Sequence, residues 1–284
     1  MSLRLTKVPD QTATPQEDGR VVFSIPVALF DAFPDQKVIL RTADPAEPRA
    51  VLGPEVPKRL AFVQLTDLSC GMAPLEEWGE GLPLDLVMRD PAVELPLLYH
   101  CTGLLNRHPT RITVPLLPGF GRAVKLALSL RFAVRLAGHQ PAPEVIVEAR
   151  QVLDGYLHNP TVAQPVEPFH GLLLASLHGA PLNLWTLLER DPAEVRVFDD
   201  AGAEVTEEAP TSVAAFCAEL VAAGAECRDC DWLSVCGSYF KWPKPTYSCG
   251  GVRQLLADLR AAAGELRAGL GAHDAAYGGD TDGG

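Results

Sequence analysis

Arg111-Ile112-Thr113-Val114-Pro115-Leu116 is followed by an apolar run over 119–132, then by Ala133-Val134-Arg135-Leu136, then by an amphipathic stretch over 143–157. The first and third pieces are short and β-branched, as strands are. The second and fourth carry Val124, Leu126, Ala127, Leu128 and Leu130, and Val145, Val152, Leu153 and Tyr156, at helical spacing. Strand, helix, strand, helix at these lengths predicts right-handed βαβ units and a parallel sheet, so the fold class is α/β.

Working outward toward the N-terminus, strands are expected over 21–25, 37–41, 60–66 and 84–88. Their proline-rich connections predict a sheet with tight turns rather than a helical bundle. A helix over 97–105 starts with Pro96, where a first-turn proline is tolerated. Toward the C-terminus, helices are expected over 166–177 and 184–189. A strand over 195–198 ends in the Asp199-Asp200-Ala201-Gly202 turn, with Glu204-Val205 as its hairpin return. Thr211-Ser212 caps a helix over 213–223 that Gly224 stops. A last helix over 250–270 carries Val252, Leu255, Leu256, Leu259 and Leu266 on one stripe. Residues 1–18 read as a loose arm and the Gly- and Asp-rich 271–284 as a disordered tail. The expected organisation is an α/β domain over 1–210 and a cysteine-rich region over 211–270, with no internal repeat.

Lys plus Arg number 24 against 36 Asp plus Glu, a net charge of −12. An acidic chain without clustered cations is a poor partner for nucleic acid or an anionic membrane. No apolar run reaches the roughly 18–20 residues of a membrane span, and Met1-Ser2-Leu3-Arg4 lacks a signal-peptide core. The expected location is cytoplasmic, where thiols stay reduced.

Four of the seven cysteines fall in one window: Cys227, Cys230, Cys236 and Cys249, spaced C-x2-C-x5-C-x12-C. A C-x-x-C turn puts two sulfurs on one side of a loop, and later cysteines close a cage around a metal or an iron–sulfur cluster. A structural zinc site is the alternative, although Cys236 and Cys249 do not form a second zinc knuckle. A disulfide framework and inert buried cysteines are the other readings.

These residues resemble the C-terminal auxiliary-cluster region, the SPASM or twitch domain, of radical SAM peptide maturases. In the full SPASM pattern C-x2-C-x5-C-x3-C precedes a distal cysteine; here the cysteine after x3 is replaced by Phe240. The resemblance therefore implies one [4Fe–4S] cluster held by Cys227, Cys230, Cys236 and Cys249. It further implies a partial-barrel-like α/β portion. The C-x3-C-x2-C motif that holds the S-adenosylmethionine-cleaving cluster is absent, because Cys70 and Cys101 stand alone in the N-terminal two thirds. The expectation is a stand-alone accessory protein that is not an enzyme on its own. Its partners would be a radical SAM enzyme and/or a precursor peptide in peptide modification (RiPP maturation), with a role in electron transfer or docking. A zinc-stabilised binding module and an enzyme with an unrecognised site are the alternatives.

Further candidates are weaker. Glu167 and His170, three apart in the expected helix, could share a face as an acid–base or metal pair or as a partner or peptide contact; a plain capped helix start explains them as well. Tyr239, Phe240 and Trp242 interleave with the cysteines, so Tyr239 and Trp242 are candidate partner contacts or a dry wall for the cluster. Cys101 beside His100, and Cys217, read as core, and Cys70 as core or neutral. Gly119-Phe120-Gly121 before a helix is a weak phosphate-loop signal that a simple turn explains.

Overall fold

A computed structural model describes residues 21–207 and 209–277; the expected loose arm over 1–18 and the last part of the expected tail, 278–284, lie outside them. Eight strands form one sheet: β1 (Val22–Pro26), β2 (Lys37–Thr42), β3 (Leu60–Leu65), β4 (Leu84–Val87), β5 (Thr110–Pro115), β6 (Ala133–Ala137), β7 (Val166–Glu167) and β8 (Val195–Val197). The spatial order is β7-β6-β5-β4-β3-β2-β1-β8 and every pair is parallel. The sheet curls into a half-barrel, with β7 and β8 as its two edges.

The four N-terminal strands were expected to be joined by tight turns; they are instead parallel, which requires crossovers. The proline-rich connections are short helices. They comprise a 3-10 helix over Val27–Ala32, α1 (Glu47–Leu52), α2 (Ala73–Glu76) and α3 (Pro91–Glu94), the last running into a 3-10 helix over Leu95–Asn106. Pro48, Pro74, Pro91 and Pro96 occupy first-turn positions, where proline lacks only a donor that has no helical partner. The prolines thus start helices rather than turns, and the expected helix over 97–105 is 3-10 in form.

The longer units follow the sequence closely, as α4 (Phe120–Ser129) and α5 (Pro143–His158). The expected helix over 166–177 divides. Val166 and Glu167 form β7, and α6 (Phe169–His178) begins after Pro168. A residue before proline is driven toward extended backbone, which keeps Glu167 out of the helix. Then come α7 (Leu184–Leu187) and β8. The expected hairpin return is a single antiparallel bridge between Phe198 and Glu204. The chain ends in α8 (Val213–Ala222), α9 (Leu233–Cys236), a 3-10 turn over Tyr239–Lys241, and α10 (Gly250–Tyr277). The last helix therefore continues through 271–277, where a disordered tail was expected.

Alternation along the strands sorts the two faces. Leu84 and Leu86, Ile112 and Val114, and Val134 and Leu136 join the large core with the helices. Asp85, Arg111, Thr113 and Arg135 occupy the positions between them and meet on the other face. The helix α10 lies across α5 and α6, burying Val252, Leu255, Leu256, Leu259 and Ala263. Leu266, expected on that stripe, is exposed. Tyr239, Phe240 and Cys249 belong to the same apolar core as the strands, so the cysteine-rich region packs directly on the α/β portion.

Candidate functional site

Cys227, Cys230, Cys236 and Cys249 line one recess, together with Trp232, Leu233, Phe240, Lys241, Val252 and Leu256. Local hydrogen bonds build it. Cys230 N donates to Cys227 O at 3.2 Å, and Leu233 N donates to Cys230 O at 3.0 Å, giving the tight turn expected of C-x-x-C. The short α9 carries Cys236, and Gly237 ends it in the left-handed region, at φ +54°. A side chain on Gly237 would meet Asn183 Nδ2 at 2.7 Å and Trp185 Cδ1 at 3.0 Å, so glycine is required by both backbone and space. Cys249 precedes α10, and its carbonyl accepts from Arg253 N at 2.8 Å.

All seven cysteines are free thiols. Burial pushes the Cys236 thiol up to about 11, against backbone N–H groups of Phe240 and Tyr239 that pull it down; the neighbouring Cys227 and Cys230 add to the rise. Burial pushes Cys249 up to about 12, and Cys236 contributes. Burial disfavours the charged form, so without a bound cation these thiols keep their protons.

In kind these are the groups that a thiolate-bound metal or cluster takes: four thiols, an apolar wall, and backbone N–H groups of Tyr239 and Phe240 at Cys236. The thiols are not gathered into a single-ion cage. Among the described residues no group of three or more His, Cys, Asp or Glu side chains could hold one metal ion. The free space between them is small, ≈ 20 Å³.

The loop is docked at the carboxyl end of β6. Trp185, fully buried, donates from Nε1 to Gly237 O at 2.8 Å. Gln140 Nε2 donates to Phe240 O at 3.3 Å and to Lys244 O at 2.9 Å, and Tyr247 Oη donates to Pro141 O at 2.7 Å. His139, Trp185 and Tyr239 pack ring against ring, with His139 and Tyr239 centroids 4.2 Å apart.

The other candidates fall elsewhere. Tyr239 is 1% exposed, so as folded it is a wall of the core rather than a surface contact. Trp242 is half-buried and stands edge-on to Phe216 at 5.4 Å. Glu167 and His170 do not share a helix face, because Glu167 is in β7. Glu167 accepts from Gly171 N at 3.0 Å, while His170 Nδ1 pairs with Tyr156 Oη at 2.8 Å. Burial raises the Glu167 carboxyl and lowers His170. Gly119 N and Gly121 N both donate to the Glu148 carboxylate at 2.9 Å, so that helix start is already occupied by an internal anion. Cys101 is fully buried and its thiol is pushed up to about 12 by burial. Cys217 is only partly buried, not core, and Ser238 Oγ donates to its sulfur at 3.5 Å.

Two groups escaped the sequence reading. The first is a charged layer on the concave face. Asp85 accepts from Arg135 Nη2 at 2.6 Å, Gln64 Nε2 at 2.9 Å and Thr113 Oγ1 at 2.5 Å, while Glu189 takes Arg111 in a fork at 2.6 and 2.7 Å. Charged residues flanked by apolar ones, as in Leu84-Asp85-Leu86, were the available signal. The second is Glu226 with Lys241, beside the cysteines. Lys241 is 4% exposed and its Nζ donates to Glu226 Oε1 at 2.5 Å.

Compared with known proteins, the chain matches no family model, no curated protein and no solved structure. Among the described residues no helix is long and apolar enough to cross a membrane.

Proposed function

We propose that the protein is an iron–sulfur accessory protein of a radical SAM peptide-modification system. In this reading it holds one [4Fe–4S] cluster on Cys227, Cys230, Cys236 and Cys249 and serves in electron transfer or docking. The observation that carries the reading is that these four cysteines, spread over 23 residues of sequence, line a single apolar recess. A four-thiolate cluster has no open coordination position, so the chemistry it supplies is one-electron transfer or structural support. The chain's own part is to keep water out with Phe240, Leu233 and Val252, and to orient Cys236 through the N–H groups of Tyr239 and Phe240.

The test is anaerobic purification with iron and sulfide analysis, followed by co-expression with a radical SAM enzyme encoded beside it. Four irons and four sulfides per chain, co-purification, and peptide modification that depends on this protein are expected. Stoichiometric zinc without sulfide overturns the cluster. Full modification in its absence, with no co-purification, overturns the partnership.

A further inference from the structure

We propose that Glu226 and Lys241 are positioning residues that set Cys249 into the four-thiolate site. The inference rests on the cluster reading above and extends it to residues outside the cysteine pattern.

Cys249 is the distal member, separated from Cys236 by twelve intervening residues. Much of the chain between them is exposed at Pro243, Lys244, Pro245 and Thr246. A span of that length does not place a sulfur by itself, because closing it costs chain entropy. One carboxylate oxygen does the gathering. Glu226 Oε1 accepts from Cys249 N at 3.0 Å and from Lys241 Nζ at 2.5 Å. Glu226 is the neighbour of Cys227, so this oxygen joins the first cysteine of the set to the last. Lys241 Nζ also donates to Tyr247 O, two residues before Cys249. The three contacts fix the chain that leads into Cys249.

The burial of Lys241 gives the pair its meaning. An ammonium taken out of water is destabilising unless it is paired, and buried ion pairs are often no more stable than well-packed apolar side chains. A buried cation that spends its donors on the arms of the cysteine loop fits a positioning role better than a stabilising one. Groups of this kind, one shell out from the ligands, typically set affinity by about 10–100-fold.

The test uses the full chain, reconstituted anaerobically with iron and sulfide, as native protein and as Glu226→Ala, Lys241→Met and Cys249→Ser. Glu226 sits at the surface, so its alanine variant guards against a failure of Lys241→Met to fold. Two readouts are taken: the rate at which an iron chelator strips the cluster, and the electron paramagnetic resonance signal after ferricyanide oxidation. A four-iron cluster lacking one thiolate loses that iron on oxidation and leaves a three-iron signal. We expect both clip variants to lose iron about 10–100-fold faster than native protein and to give the three-iron signal of Cys249→Ser. Native stripping rates and spectra in both variants, even with lowered thermal stability, overturn the proposal and make the pair merely structural. Failure of the native protein to take up iron and sulfide overturns the cluster reading itself, and the proposal with it.

Discussion

The indole of Trp185 and the carbonyl of Gly237 are joined at 2.8 Å across 52 residues of sequence. This bond ties the segment between β7 and β8 to the turn that follows Cys236. Both partners are buried, so neither can exchange the other for water.

Trp185→Phe removes the donor and leaves the Gly237 carbonyl buried without it. A loss of about 1–3 kcal/mol is expected, read as a lower denaturant midpoint. The cysteine loop should also become more accessible to limited proteolysis between 228 and 248. An unchanged midpoint would show that the loop is held by its other contacts alone.

The concave charged layer predicts acid sensitivity. Burial alone would raise the carboxyls of Asp85 and Glu189, but the guanidiniums of Arg111 and Arg135 outweigh it and hold both below the ordinary range. A carboxyl depressed in the folded state adds stability that is complete above its unfolded value, near 4. That stability is lost as pH falls through the folded value. Unfolding free energy should therefore fall on acidification below about pH 4, and Glu189→Gln should flatten that slope.

Asp85→Ala removes the carboxylate at 2.6 Å from Arg135 and leaves two guanidiniums, those of Arg111 and the buried Arg135, to share Glu189 alone. Breaking a buried pair from one side costs about 3–5 kcal/mol. Chemical denaturation checks this, and a loss below about 1 kcal/mol would place the cluster in the class of exposed pairs.

Alanine at Cys227, Cys230, Cys236 or Cys249 should abolish stoichiometric iron, whereas serine at Cys101 or Cys217 should not. Cys101 faces the carbonyl of Leu97 inside the core, and Cys217 lies behind Ser238. Elemental analysis of each variant decides it. Iron lost from the Cys217 variant would place a fifth thiol in the site.

The protein alone should not cleave S-adenosylmethionine. That reaction needs an iron with a free coordination position, and four cysteines leave none on one cluster. Formation of 5′-deoxyadenosine by the reduced, reconstituted protein would refute this.

Local pattern alone settled the βα rhythm from Arg111 to His158, because strand and helix periodicity are written in neighbouring residues. The same holds for the C-x2-C turn and for the starting positions of the helices that carry Pro96 and Pro143. The parallel course of β1 to β4 was hidden: prolines at helix starts and prolines in turns look alike until the crossover length is seen. The split of 166–177 at Pro168 was legible in principle, from the extended bias of the residue before a proline, but two residues are too few to announce a strand. Tertiary structure alone brought Cys249 back to Cys227 through Glu226, buried Lys241 with its carboxylate, and gathered Asp85, Arg111, Arg135 and Glu189 on one face. Each of these depends on contacts between residues far apart in the chain, whose energies local propensity does not encode.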